Sequence, residues 1–136
     1  MFTLAIVKPD AVAARNTGKI IAYLEAEGFQ IRAAQLVTLT QARAESFYDV
    51  HRERPFFQPL VAFMTSGPAL AIALERDNAV AHLRRTMGAT DSRKAEPGTV
   101  RNLFGTDIER NAIHGSDSAE NAAGEIAFFF AQSELI

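Results

Sequence analysis

Apolar and polar residues follow one another along this chain in short blocks whose period switches between that of a strand and that of a helix. Thr3 to Val7 is a continuous apolar run that Pro9 stops by removing a backbone donor, which predicts a buried first strand ending at Lys8. Thr17 and Gly28 bracket Gly18 to Glu27, where Ile20, Ile21 and Leu24 share one helical face. Phe29 to Leu39 alternates with a period of two. It sets Phe29, Ile31, Ala33, Val37 and Leu39 against Gln30, Arg32 and Thr38, the pattern of a half-buried strand. Thr40 caps a short helix through about Val50, and Pro59 sits in the first turn of a helix ending at Met64, with Phe57, Leu60, Val61 and Met64 on its inner face. After Ser66-Gly67-Pro68, the run Ala69 to Leu74 reads as a third, fully buried strand. Asp77 then caps a helix that turns Val80, Leu83 and Met87 inward and ends at Gly88. No periodicity is visible from Gly88 to Arg110, a length of loop that favours function. A short fourth strand leads to His114, and from Ser118 a last helix carries Ala122, Ile126 and Phe130 inward.

This order predicts an α/β ferredoxin-like sandwich, a four-stranded antiparallel sheet with flanking helices gathered on one face. At 136 residues the expected organisation is a single domain, residues 1–136, able to bury roughly two thirds of the surface of its unfolded chain. No apolar run approaches the ~20 residues of a membrane span, and no positively charged leader is seen, so the expectation is a soluble, unprocessed protein. The absence of cysteine leaves no disulfide framework and no thiolate site, which fits a cytoplasmic location. Fourteen basic against sixteen acidic residues argues against a dedicated nucleic-acid surface. Charge is uneven, however. Arg84, Arg85, Arg93, Lys94 and Arg101 face only Asp91 and Glu96 over one segment, which is either a polyanion site or a solvated loop of mixed charge.

The candidate chemistry centres on Asn111-Ala112-Ile113-His114-Gly115-Ser116-Asp117-Ser118. Gly115 removes bulk beside the imidazole so that a reactant can approach one ring edge, and Ser116, Asp117 and Ser118 are residue types that cap helices. A histidine beside such a helix start is well placed to meet a phosphate. Lys8, at the end of the first strand, is either a phosphate ligand or an ordinary surface lysine. Phe47 and Tyr48 diverge by about 100° on a helix, so one belongs to the core and the other to a cleft. Phe56, off the inner stripe of its helix, is either a core contact or an aromatic platform. Arg84 and Arg85 either complement a helix dipole or bind an anion. Glu125, about three turns beyond His114, either reaches back to it or stays in solvent.

Five stretches in order, Val7-Lys8-Pro9-Asp10-Ala11, Arg54-Pro55-Phe56-Phe57, Ser66-Gly67-Pro68, Gly98-Thr99-Val100-Arg101 and the His114 segment, resemble the nucleoside diphosphate kinase family. The chain stops at Ile136 and is similar to bacterial members with a short C-terminus. The resemblance implies that His114 takes the γ-phosphoryl group of a nucleoside triphosphate on Nδ1 and passes it to a nucleoside diphosphate, with Glu125 holding the other ring nitrogen. It implies that Lys8 contacts the transferring phosphate and the ribose, and that Tyr48 lines the site beside it. Arg84, Thr90 and Arg101 would clamp the phosphates, Asn111 would bond the sugar hydroxyl, and Phe56 would stack on the base. Mg²⁺ is implied as a companion of the nucleotide, with no metal site built from protein alone, and a homo-oligomer as the assembly. The other class of function on such a scaffold is a silent nucleotide-binding module, which would lack the nucleophile or a clamp residue; His114, Lys8, Arg84, Arg101 and Asn111 are all present. Four positions depart from the family pattern: Arg76 for glycine, Ser92 for proline, and Asn102-Leu103 beside the clamp arginine.

Overall fold

The computed structural model describes residues 1–136. Four strands, β1 (Phe2–Val7), β2 (Gln30–Val37), β3 (Ala69–Glu75) and β4 (Ile113–Gly115), form one sheet in the order β2-β3-β1-β4. Every pairing is antiparallel. Seven helices flank it: α1 (Pro9–Ala13), α2 (Thr17–Ala26), α3 (Gln41–Phe47), α4 (Phe57–Met64), α5 (Ala79–Met87), α6 (Val100–Phe104) and α7 (Ala119–Phe129). This is the expected antiparallel α/β sandwich of ferredoxin-like order.

The helices lie on both faces of the sheet, not on one. Leu4 and Ile6 of β1 pack with Ala44 of α3, Phe57, Val61 and Met64 of α4 and Ile126 of α7. Ala5 and Val7, pointing the opposite way, pack with Ile20 and Leu24 of α2, Leu83 and Met87 of α5 and Val100 of α6. A strand covered on both sides needs apolar residues at most positions, which is why β1 and β3 read as near-continuous apolar runs.

Several boundaries differ from expectation for local reasons. Asn16, rather than Thr17, precedes the first turn of α2, and Pro9 starts α1 immediately after β1, where its fixed φ suits a helix start. The cap position of α5 is Asn78, in a left-handed conformation at φ 54°, and not Asp77; Ala79 is fully buried and Val80 only half-buried. In β2 the register against β3 shifts between Ile31 and Ala33. The extra residue switches the side on which later side chains point, so Phe29 joins the α2/α5 core while Leu39 joins the other. Residues 88–110 are not a bare loop. Asp91 caps a 3₁₀ turn over Ser92–Lys94, and the Thr99 hydroxyl accepts from the Asn102 N–H to start α6.

Candidate active site

β4, the edge strand beside β1, places His114 opposite Ile6. Its Nε2 lies 2.9 Å from Glu125 Oε1, on the inner side of α7. The Ser116 hydroxyl, fully buried, donates to the same carboxylate oxygen at 2.8 Å and accepts from the Leu4 N–H at 3.2 Å. A carboxylate beside Nε2 fixes the tautomer that protonates this nitrogen and leaves the Nδ1 lone pair free. Nδ1 has no hydrogen-bond partner. Phe47 and Tyr48 both stand edge-on to the ring, with centroids 5.4 and 6.1 Å away. They do so together because Tyr48 sits at the C-cap of α3, beyond the last helical residue Phe47, so the expected choice between core and cleft does not arise.

Gly115 has a different reason from the one expected. A Cβ there would come 2.7 Å from Met87 Sδ and 3.0 Å from Leu83 Cδ2, so its small size lets β4 close onto α5. Of the three polar residues that follow, only Ser118 caps α7, accepting from the Asn121 N–H at 3.0 Å; Asp117 takes the Asn121 side chain at 2.6 Å.

The segment before His114 is held in a tight turn. Ala112 has φ 73°, and the Ile113 N–H donates to the Asn111 carbonyl at 2.8 Å, which makes a γ-turn of the strained kind. The Lys8 N–H donates to the Ala112 carbonyl at 2.8 Å and Asp10 Oδ2 accepts the Ala112 N–H at 3.1 Å, so the start of α1 clamps both ends of this residue. Burial raises the Asp10 carboxyl above its usual range.

All nine side chains expected from the sequence, Lys8, Tyr48, Phe56, Arg84, Thr90, Arg101, Asn111, His114 and Glu125, line one cavity of about 840 Å³. Lys8 is buried, and its amine makes neither a hydrogen bond nor an ion pair; burial, followed by the nearby Arg101 charge, lowers it to about 8. Arg101 is buried too, donating to the carbonyls of Gly88 at 3.1 Å and Ile113 at 2.8 Å but to no carboxylate. Burial, then Arg84, lowers it to about 10. Arg84, exposed in the last turn of α5, has no side-chain partner at all. Three cations without counterions around one cavity form a site for a polyanion. Asn111 donates to the carbonyls of Thr90 and Ile108 at 3.0 and 3.2 Å and leaves its Oδ1 unpartnered. The Tyr48 hydroxyl is sealed and also unpartnered, and burial pushes its ionisation well above the usual range. Phe56 is 48% exposed and leans against the His51 ring at 5.2 Å, so it belongs to the cavity mouth and not to the core.

Sequence reasoning missed the Ser116 bond, the Phe47 contact, and His51 and Ile108 of the cavity wall. A serine two residues after the histidine points to the same side of an extended segment, which is the signal that would have found Ser116.

A family model described as nucleoside diphosphate kinase matches residues 2–135. The chain is 57% identical over 134 residues to a nucleoside diphosphate kinase of Granulibacter bethesdensis, covering 98% of this chain and 96% of that protein. It is 55% identical to one of a Nitratiruptor species, covering 98% of each. Among solved structures, the Aquifex aeolicus nucleoside diphosphate kinase superposes with a TM-score of 0.97 at 49% identity, covering 99% of this chain and 98% of that one. A Halobacterium salinarum nucleoside diphosphate kinase in complex with CDP gives 0.95 at 38% identity, covering 100% and 91%. With a family model over almost its entire length and relatives above half identity, the chain belongs to the nucleoside diphosphate kinase family.

Proposed function

We propose that residues 1–136 act as one nucleoside diphosphate kinase domain, moving the γ-phosphoryl group of a nucleoside triphosphate to a nucleoside diphosphate through a phosphohistidine at His114. The observation that carries this reading is the His114 ring itself: Nε2 is fixed on Glu125, Nδ1 is free, and three unpaired cations share its cavity. In the first half-reaction the Nδ1 lone pair attacks the γ-phosphorus, a P–N bond forms, the bond to the β-phosphate oxygen breaks, and a diphosphate leaves. In the second, a β-phosphate oxygen of another diphosphate attacks the same phosphorus and the P–N bond breaks. Splitting one transfer into two steps is what a covalent intermediate accomplishes.

Phosphoryl transfer asks mainly for positioning and charge neutralisation. Lys8, Arg84 and Arg101 supply the charge, with Thr90 beside them as a hydroxyl ligand. The sealed Tyr48 hydroxyl gains an acceptor when a phosphoryl oxygen arrives on His114, and Asn111 Oδ1 gains a donor when a sugar hydroxyl does. Phe56 stacks on the base, with Ile108 as apolar neighbour in the cavity wall. That the Halobacterium relative is in complex with CDP supports nucleotide binding by this chain. Mg²⁺ fits as a companion of the nucleotide: of the cavity's carboxylates, Glu109, Asp117, Glu120 and Glu125, no three gather at one point and Glu125 is engaged by His114 and Ser116, so phosphate oxygens and water would hold the ion and it would supply further charge neutralisation.

A homo-oligomer belongs to the same reading. β2 is an edge strand with Ile31 and Leu36 exposed, the kind of apolar edge that a second copy covers, and sedimentation of the intact protein tests it. No helix is long and apolar enough to cross a membrane. A cytoplasmic location follows from the proposed substrates, tested by fractionation. The central test is incubation with γ-labelled ATP. Label on the protein is expected to be lost in acid and kept in base, and to be absent from His114→Ala; a base-labile label, or labelling and turnover in that variant, would overturn the reading.

A further inference from the structure

Only three lysines occur in the sequence, and they occupy very different surroundings. Lys19 and Lys94 are exposed to solvent. Lys8 is buried, yet it lines the 840 Å³ cavity, and its Nζ, which has no partner, is not among the side-chain nitrogens sealed from solvent. The charges acting on this amine are Arg101 from α6, Asp10 from α1 and Glu109 from the segment between α6 and β4, and none of them pairs with it. Arg84 and Arg101 stand in the same cavity with no carboxylate partner.

An amine in this position has two properties at once. It is largely relieved of the competing carboxylate that would hold it as an ion pair, and it lies beside cations able to recruit a phosphate. We propose that Lys8 is a site of reversible covalent modification by small aldehydes that carry a phosphate group, the phosphate being held by Arg84 and Arg101 while Nζ forms an imine. The nitrogen lone pair attacks the carbonyl carbon and the carbonyl oxygen takes up a proton, giving a carbinolamine. Loss of water then gives the C=N bond, and hydrolysis reverses the sequence. Nothing is oxidised or reduced. Occupation of the cavity by such an adduct excludes the nucleotide, so phosphorylated aldehydes act as competitive, reversible inhibitors of the kinase.

The position of the amine on the proton scale adds to the geometry. At about 8 instead of 10.5, an amine is unprotonated roughly 300 times more often at neutral pH. Lower basicity returns part of that gain, as it does for thiols, which leaves an advantage of about tenfold or more over an exposed lysine before any recruitment by the phosphate.

The proposal rests on the reading of Lys8, Arg84 and Arg101 as the phosphate-holding cations, and its test is independent of turnover. The intact protein is treated with pyridoxal 5′-phosphate, reduced with borohydride and digested, and adducts at the three lysines are quantified by peptide mass spectrometry. Lys8 is expected to carry about ten times the adduct of Lys19 or Lys94 or more. ADP is expected to suppress labelling at Lys8 alone, and pyridoxal, which lacks the phosphate, to label Lys8 several-fold less. In Arg84→Gln the preference for the phosphorylated aldehyde should shrink while labelling by pyridoxal stays the same. Even labelling of the three lysines, or equal labelling of Lys8 by the two aldehydes, overturns the proposal. Even labelling in a protein with full kinase turnover removes the covalent site and leaves the kinase reading standing. Selective, ADP-protected labelling in a protein without turnover supports the site and removes the kinase reading.

Discussion

Glu125→Gln separates two contributions that the wild-type carboxylate makes together. Oε1 accepts from both His114 Nε2 and the Ser116 hydroxyl, and the Ser116 oxygen is itself committed as acceptor of the Leu4 N–H. The serine proton therefore points at residue 125, and a glutamine is forced to present its carbonyl oxygen there, not its NH₂. Both hydrogen bonds survive and the ring keeps its orientation; what disappears is the negative charge. A hydrogen bond to an ionised partner is worth about 1.5 to 3 kcal/mol against about 1 for a neutral one, so the change costs ~0.5 to 2 kcal/mol as positive charge grows on the imidazole. With the Glu125 side chain only 21% exposed, solvent does little to screen this. The rate of His114 phosphorylation is expected to fall about 2- to 30-fold. Rapid-quench single turnover with γ-labelled ATP measures that rate, and ADP titration calorimetry measures affinity, expected to be unchanged. An unaltered rate, or a loss confined to affinity, would refute the assignment of Glu125 to the nucleophile.

Phe56→Ala should weaken binding of all nucleotides by a similar factor, about 1 to 3 kcal/mol, because stacking on a π-face is indifferent to the base. Strong discrimination among bases in that variant, read from calorimetric titrations, would take Phe56 out of the base site. Lys8 gives a pH signature whose sign is fixed. A bound polyanion favours the protonated amine, so ADP affinity is flat below about 8 and falls by up to about tenfold per pH unit above it, until the amine of the complex itself titrates. Lys8→Gln should flatten that limb, and a wild-type affinity constant from pH 7 to 9.5 would contradict it.

Much of this was legible because local and long-range requirements coincide. The apolar runs of β1 and β3, the inner stripes of α2 and α4, and the Ser118 cap each state one physical need. The rest depended on contacts that spacing does not encode. A bulge at Ile31 to Ala33 reversed the facing of β2, and nothing in a period-two pattern marks the extra residue. The breadth of helix cover is not legible in the element order, because α3, α4 and α7 occupy the face that a minimal βαβ count leaves open. Gly115 looked like room for a substrate and proved to be room for Met87 and Leu83, which lie in α5, far off in sequence. Within the cavity, the residues legible from the sequence are those with obvious chemistry. Ser116 and Phe47 escaped because they act on His114 from behind, through a shared oxygen and a ring edge.

The tie between β1 and β4 has a kinetic side. The Leu4 N–H and the Ser116 hydroxyl are joined across 112 residues of sequence, and Ile6 and His114 are neighbours in the same ladder. Contacts of such separation carry the largest loop-closure entropy and form last unless a nucleus already holds the ends together. During synthesis, β1 emerges long before β4 and remains unpaired on that side until Ile113–Gly115 has been made. A partly folded chain, however native its helices, therefore holds Lys8 without its histidine, and a returning enzymatic signal on refolding reports closure of the sheet rather than collapse of the core.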